Sequence, residues 1–383
     1  MQVESLSTFS TVAISLFSAL LFFCGYFFGK WKSVAEIKSL LKVRKNSYLL
    51  GQMVKDDEQK KGMAQAYYDS ETALREMDTY NWDATALILS PFVGYAPAPA
   101  KEKDFQINSN QFRAAENIIS PKQKNAYRLF LVGGSTAFGS GAPDQERTIG
   151  GYLKTHLKNN SSKEARTYEV FTVAAAAWSS AHERIAIENL VSEMEPNIIV
   201  SLSGNNDAHW GWNFKNTMWF RSYADNHFWK LINAANASAG YETIADPIEN
   251  REKVLPPEEI ARIMKKNVDV ECHILSSAGA KHYFLLQPII PLTGKALTVR
   301  EKKILSAWHP DQIDYHRECF KLIAIELKSL EQKYEHFHFF DFTGVFDDLT
   351  MADEVFLDSY HFGDKGYDII SKCIYKLIRG EVA

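Results

Sequence analysis

The sequence lacks the features of several common protein classes. Lysine and arginine number 43 against 47 aspartates and glutamates, a formal net charge of −4, and no basic patch interleaved with aromatic residues stands out. A nucleic-acid partner is therefore not expected. Only four cysteines occur in 383 residues, with no CxxC pair and no Cys/His spacing typical of zinc. We expect neither a structural metal nor a cofactor.

One long uncharged run lies near the start of the chain. No charged residue occurs from Ser5 to Gly29, and Val12 to Phe28 is almost continuously apolar. Such a run is long enough to cross a bilayer as a helix. It lacks the basic start and the small-residue cleavage site of a signal peptide. We predict a single transmembrane helix, with a buried core helix as the alternative.

The charge on the two sides of this run predicts its orientation. Glu4 is the only charged residue before the run. Six basic residues follow the run closely, and Glu36 is the one acidic residue among them. The positive-inside rule then predicts that the C-terminal side faces the cytoplasm, and the scattered thiols agree with a reducing compartment. The alternative is a periplasmic or extracellular position. The basic residues are Lys30, Lys32, Lys38, Lys42, Arg44 and Lys45.

The rest of the chain divides by pattern. Residues 1–32 form the predicted anchor, 33–84 a juxtamembrane helical linker rich in Lys, Glu and Gln, and 85–383 one large domain. In that domain β-prone runs alternate with helical periodicity, which predicts an α/β fold with a parallel sheet covered on both faces. The predicted strands are Tyr127–Val132, Tyr168–Val173, Ile198–Leu202, His282–Leu286 and Phe337–Phe342.

An aromatic-rich insertion at 208–254 interrupts this alternation. Residues 210–229 alone carry eight aromatic side chains. Such a cluster is typical of a small cap subdomain with its own core, or of a wall that stacks on substrate, and the two interpretations are compatible. Trp210 and Trp212, together with Trp178, are predicted to contact substrate.

The first candidate for chemistry is Ser135, in the stretch Gly133-Gly-Ser-Thr-Ala137 after a predicted strand. Glycines let the chain turn sharply there and expose the serine hydroxyl. A helix-capping serine or a phosphate-binding loop would look similar. The Gly-Lys-Ser/Thr ending of a P-loop is absent, and so is a Gly-x-Ser-x-Gly elbow, because Ala137 takes its last position.

Two further motifs follow at later strand ends. Gly204-Asn-Asn-Asp207 comes after a predicted strand, where ligands bind in open parallel sheets, although a tight turn would use the same residues. Asp358 and His361 stand just before the last predicted helix. A spacing of three brings a carboxylate to the same turn as the imidazole, where it can fix the tautomer of a general base.

These three motifs, in this order, make the sequence resemble the SGNH/GDSL hydrolase family over roughly residues 85–380. Gly134-Ser135 is similar to the first block of that family, Gly204–Asp207 to the third, and Asp358–His361 to the fifth. The resemblance implies a three-layer α/β/α, flavodoxin-like parallel sheet. It also implies hydrolysis of acyl esters by a triad of Ser135, His361 and Asp358, without a metal or cofactor.

The second block of the family departs from its usual form. The glycine whose N–H enters the oxyanion hole aligns with Ala177. The resemblance then implies an oxyanion hole made of the Ser135 N–H, the Ala177 N–H and the Asn206 amide. Alanine can supply the donor, although a positive φ at this position would cost about 1–2 kcal/mol.

The function predicted from the resemblance is cleavage of a short acyl ester on a glycan or lipid by a membrane-bound serine esterase. Two alternatives remain open: an O-acyltransferase on the same residues, and a catalytically silent membrane-bound binding protein. A metal site is a further alternative, although its residues read better as a helix start. These residues are His309, Asp311, Asp314 and His316.

Overall fold

The computed structural model describes eight stretches of the chain, which fall into two compact units. One unit comprises residues 1–46 and 229–245, and the other comprises 47–228 and 246–383. Most of the aromatic-rich insertion lies outside the described residues. The described stretches are 2–45, 48–80, 82 with 87–102, 104–160, 166–213, 232–244 and 254–382.

The smaller unit contains the predicted anchor. Helix α1 (Gln2–Lys45) runs without a break for 44 residues, and the side chains of Thr11–Ala35 are exposed. This stretch is the one described helix that is long and apolar enough to cross a membrane. A signal sequence near an N-terminus would meet the same criterion.

The larger unit is built on five parallel strands. They are β5 (Ala126–Gly133), β6 (Thr167–Ala174), β7 (Ile198–Ser203), β8 (Lys281–Leu286) and β9 (Phe337–Asp341), in the order β6-β5-β7-β8-β9. Counted along the chain, the order is 2-1-3-4-5, as in flavodoxin-like sheets. All five predicted strands are confirmed to within a residue at each end.

The two faces of the sheet carry separate hydrophobic layers. Along β8, Tyr283 and Leu285 join one core cluster, whereas Phe284 and Leu286 join the other. Successive side chains of a strand point to opposite faces, so a helical layer covers each side. The predicted three-layer α/β/α fold is thereby confirmed.

Helices and short strands complete the larger unit. Helices α6 and α12 pack on one face of the sheet, and α9 and α11 pack on the other. The helices are α2 (Tyr48–Met53), α3 (Asp57–Ala64), α4 (Ser70–Glu76), α5 (Ser135–Phe138), α6 (Ile149–Asn160), α7 (Ser180–Ala186), α8 (Asn205–Trp212), α9 (Pro257–Ala278), α10 (Val299–Ser306), α11 (Pro310–Leu330) and α12 (Asp364–Val382). The short strands are β1 (Leu87–Ser90), β2 (Gly94–Pro97), β3 (Ala100–Lys101) and β4 (Gln106–Ile107).

The described residues from 48 to 82, predicted as part of a linker, pack onto the sheet domain. Their apolar side chains form a cluster that includes Trp82 and reaches Leu357. The Tyr67 hydroxyl donates to the carbonyl of Gly141 at 2.8 Å, and the N–H of Tyr68 donates to Asp364 at 2.9 Å. These residues therefore support the region that carries Asp358 and His361. The domain boundaries themselves remain a prediction.

Candidate active site

Ser135 opens the short helix α5, two residues after the last residue of strand β5. Gly134 between them has extended backbone and no side chain. A Cβ added there would lie 2.5 Å from Nδ2 of Asn206, so only glycine lets the Asn206 amide approach the serine turn. The absence of a side chain at Gly134 thus lets the candidate residues Ser135 and Asn206 lie close together.

Asp358 and His361 occupy a closed loop before helix α12. The N–H of Leu357 donates to the carbonyl of His361 at 2.8 Å, and Phe356 pairs with Phe362 in an antiparallel bridge. This closure holds the side chains of Asp358 and His361 at the end of the sheet where the carboxyl termini of β5 and β7 lie. Ligand sites of open α/β sheets lie at this edge.

The side chains of Ser135, His361 and Asp358 form one hydrogen-bonded chain. Nε2 of His361 lies 2.8 Å from Oγ of Ser135, and Nδ1 lies 2.7 Å from Oδ2 of Asp358. The other carboxylate oxygen accepts the N–H groups of Tyr360 and His361 at 2.9 and 2.8 Å. An ionised Asp358 keeps the ring proton on Nδ1, so the lone pair of Nε2 faces the serine hydroxyl.

The charge of Asp358 is maintained by its surroundings. Burial alone would raise the pKa of this carboxyl group, but attraction to His361 and the hydrogen bonds from His361 and Tyr360 outweigh burial. The pKa of Asp358 therefore lies below its usual value. An ionised carboxylate at this position stabilises an imidazolium when one forms.

Gln287 ties the serine turn to the histidine loop. It follows strand β8 and is buried, and its Nε2 donates to Oγ1 of Thr136 at 3.0 Å and to the carbonyl of Tyr360 at 3.3 Å. Thr136 and Tyr360 are the chain neighbours of Ser135 and His361. Sequence reasoning missed Gln287, although its position after a strand at the same sheet edge is the signal that would have found it.

The predicted oxyanion-hole residues lie around the serine turn. Ala177 adopts a left-handed conformation with φ of +64°, which costs a residue with a Cβ about 1–2 kcal/mol. Nδ2 of Asn206 donates one hydrogen to the carbonyl of Trp178 at 2.7 Å. Its second amide hydrogen is left for another acceptor.

Asp207 links the segment that contains Ala177 to the segment that contains Asn206. Its carboxyl group accepts both the N–H and the hydroxyl of Ser180, at 2.9 and 2.6 Å. Asn267 on helix α9 donates to the same hydroxyl at 2.8 Å. Because Ser180 follows the Ala177 turn and Asp207 follows Asn206, this clamp sets the distance between the predicted donors.

The predicted substrate-binding tryptophans differ in their surroundings. Trp178 is only 3 % exposed, stacks on His182 and donates its indole N–H to the carbonyl of Tyr95, so its burial does not favour contact with a substrate. Trp210 is partly exposed, with its indole nitrogen 3.4 Å from the Ala177 carbonyl oxygen. Trp212 packs on Tyr315. Substrate contact by the three residues stays a prediction.

His209 is a second imidazole near Asp358 that sequence reasoning did not single out. Its ring packs against the rings of Trp210 and Tyr360, with centroids 5.1 and 6.2 Å apart. Burial lowers the pKa of His209, although the nearby Asp358 opposes this effect. Burial therefore favours the neutral form of this ring.

The residues of the alternative metal site lie at the start of helix α11, where their side chains make contacts within the helix. His309 caps it by accepting the N–H of Asp311, and Nδ1 of His316 lies 2.8 Å from the Gln312 carbonyl oxygen within the helix. Asp314 pairs with Arg317 on the same helix. No group of three or more metal-binding side chains occurs in the part of the chain that the structure describes.

Comparison with known proteins gives matches among solved structures. No family model and no curated protein matches the chain. A putative acylhydrolase from Bacteroides fragilis is 14% identical over 70% of this chain and 92% of its own, with a TM-score of 0.39. An acetyl xylan esterase is 13% identical over 66% and 99%, with a TM-score of 0.40.

A lipase/acylhydrolase from Enterococcus faecalis is also similar. It is 13% identical over 67% of this chain and 97% of its own, with a TM-score of 0.41. At such identities and TM-scores, the function has to be inferred from the side chains of this chain.

Proposed function

We propose that this protein hydrolyses acyl esters through a serine acyl-enzyme, with Ser135 as the nucleophile, His361 as the general base and Asp358 as its partner. The observation that carries the proposal is the hydrogen-bonded chain from Asp358 through His361 to Ser135, with contacts of 2.7 and 2.8 Å. A nucleophile beside a base that is itself oriented by a third group is the arrangement that covalent acyl transfer requires.

In the proposed reaction, Oγ of Ser135 attacks the ester carbonyl while Nε2 of His361 takes the hydroxyl proton. The negative charge that develops on the carbonyl oxygen is met by the N–H groups of Ser135 and Ala177 and by the Asn206 amide. His361 then returns the proton to the leaving alcohol. Water, activated by the same imidazole, cleaves the acyl-enzyme and restores Ser135.

The substrate is proposed to be a short acyl ester on a glycan or a lipid. The test is hydrolysis of a series of 4-nitrophenyl esters from acetate to decanoate by the full chain in detergent. We expect the highest kcat/KM with the shortest chains. Ser135→Ala should lower kcat by on the order of 10³-fold or more.

The matched control is Ser329→Ala, since Ser329 is an exposed serine that donates to a carbonyl of its own helix. This variant should keep wild-type rates. Full activity in Ser135→Ala would refute the proposed nucleophile. Equal loss in the control would attribute the effect to folding.

We also propose that the N-terminal helix spans a membrane and that the sheet domain faces the cytoplasm. The basic residues that follow the span, such as Lys30 and Lys32, resist translocation. Fusions after Ala383 test this placement. Green fluorescent protein should fluoresce and alkaline phosphatase should be inactive; strong phosphatase activity would place the domain outside the cytoplasm.

A further inference from the structure

A cavity of about 480 Å³ opens beside the loop that carries Asp358 and His361. Its walls come from residues 52–59, helix α10, the start of helix α11 and helix α8, and Asp358, Ser359 and Tyr360 form its edge toward the triad. Residues 52–59, predicted as part of a linker, thus form one wall of a cavity next to Asp358.

Positive charge dominates this cavity. Lys55, Arg300 and Lys303 line it, and Asp358, which already binds His361, is the one acidic side chain among its described lining residues. Arg300 is held by Glu354 at 2.9 Å. Lys55 and Lys303 are exposed and make no ion pair within the described part of the chain. Two ammonium groups are therefore available to an anion.

An aromatic wall and amide side chains accompany the charges. The indole N–H of Trp308 donates to Oγ of Ser359 at 2.7 Å, and its ring meets that of His316 edge to face at 4.8 Å. A ring held in this way loses little conformational entropy when a ligand packs on it. Gln52 and Gln312 add amide groups, each of which can donate and accept hydrogen bonds.

The cavity lies next to residues that contact the proposed reaction centre. The ring of Tyr360, in its wall, lies 4.8 Å from the ring of His361. His209, in the same wall, contacts Trp210, which lies next to the Ala177 turn. A molecule bound in the cavity would therefore lie beside the loop that holds His361.

We propose that this cavity binds an acidic sugar, bearing a carboxylate or a phosphate, that belongs to the ester-carrying glycan. The lysines Lys55 and Lys303 would bind the acidic group, the face of Trp308 would pack on the sugar ring, and the glutamine amides would bind hydroxyl groups. An acyl chain would use none of these polar groups. The inference rests on the proposed function only for the ester, since sugar binding does not depend on hydrolysis.

Calorimetry on the full-length Ser135→Ala protein tests the proposal, in a polyoxyethylene detergent that carries no sugar. The ligands are pentameric oligogalacturonate, glucose 6-phosphate and neutral maltopentaose. We expect at least one acidic ligand to bind more tightly than maltopentaose. The double variant Lys55→Gln/Lys303→Gln should weaken that binding by roughly five- to thirtyfold. Trp308→Ala should weaken it as well.

The matched control is Lys302→Gln, because Lys302 neighbours Lys303 but contacts Met351 instead of the cavity. It should leave binding unchanged. Equal weakening by the control and the double variant would overturn the proposal, and so would absence of binding by both acidic ligands. Lysine-dependent binding of phosphatidylglycerol vesicles, without sugar binding, would overturn it in favour of a lipid. Loss of hydrolysis in the ester assay with intact sugar binding would refute only the proposed function.

Discussion

The pKa values of two sets of carboxyl groups in the same domain are shifted in opposite directions. Asp358 receives three hydrogen bonds and adjoins His361, and its pKa is lowered. Glu183 is buried with one hydrogen bond, from Ser203, and burial raises its pKa to about 8. Glu271 has no hydrogen-bond partner for either oxygen among the described residues, and burial raises its pKa well above its usual value. Nε2 of His282 lies 3.8 Å from Glu271, but burial lowers the pKa of this imidazole to about 3.

The difference shows that hydrogen-bond donors and an imidazole in direct contact decide the direction in which the pKa of a carboxyl group shifts, because burial acts on both sets in the same direction. Asp358, whose pKa is lowered, lies where the proposed reaction needs an ionised carboxylate. Glu183 and Glu271, whose pKa values are raised, lie in the polar layer between β7, α7 and α9. The predictions below test this division, beginning with the largest expected effect.

Removing the charge of Asp358 should have the largest effect. In Asp358→Asn, the amide no longer fixes the reactive tautomer of His361, so kcat for a short ester should fall by roughly 10⁴-fold at neutral pH. Glu183→Gln, which preserves the acceptor for Ser203, should keep kcat within a few-fold of wild type. A comparable loss of kcat in Asp358→Asn and Glu183→Gln would contradict a catalytic role for Asp358 and a structural role for Glu183.

Asn206 is the predicted side-chain donor of the oxyanion hole, and its replacement should have the second-largest effect. Asn206→Ala removes a donor from the oxyanion hole, and kcat should fall by roughly 10²–10³-fold with little change in KM. The control is Asn213→Ala at the other end of α8, where the side chain only donates to the His209 carbonyl. A change confined to KM would mean that Asn206 binds substrate instead.

The next expected effect concerns Gln287, which links the serine and histidine loops. Gln287→Met keeps the volume but loses both hydrogen bonds, and kcat should fall by roughly 10- to 100-fold through misplacement of the triad. Thr136→Val should lower kcat similarly, and Thr136→Ser should restore it because the hydroxyl is kept. Unchanged kcat in both Gln287→Met and Thr136→Val would show that the link is not needed.

How far the sequence predicts this molecule differs from region to region. The strands are predictable because they are short apolar runs bounded by polar turns, and Asp358 and His361 stand out as candidates because only two residues separate them within one loop. Gln287 was missed because only the sheet order brings it near Ser135. The burial of Trp178 could not be predicted either, because the sequence does not reveal which tryptophan side chains are buried.

The neutral carboxyl groups should also appear in the pH dependence of stability. Between pH 4.5 and about 8, an unfolded chain has lost the Glu183 proton that the folded chain keeps. The free energy of unfolding should therefore fall as pH rises through this window, by at most about 1.4 kcal/mol per pH unit for this group. Glu183→Gln should flatten that slope in denaturant unfolding, whereas Glu193→Gln, an exposed control, should not. Parallel slopes in all three proteins would contradict the raised pKa.

The smallest expected effect is at Ala177. Glycine accepts a φ of +64° without strain, so Ala177→Gly should relieve about 1–2 kcal/mol in the folded state. The greater freedom of glycine in the unfolded chain offsets about 0.4–1 kcal/mol of that gain. We expect a Tm equal to or slightly above wild type, with kcat unchanged. A clear loss of stability would show that the alanine methyl group contributes packing that outweighs the strain.

The central proposal is that Ser135 is a nucleophile activated by His361, and covalent labelling tests it most directly. A fluorophosphonate probe, followed by peptide mass spectrometry of the full chain, should modify Ser135 stoichiometrically. Labelling should be slowed by on the order of 10³-fold or more in His361→Ala. An unmodified Ser135, or a rate that does not depend on His361, would contradict the account.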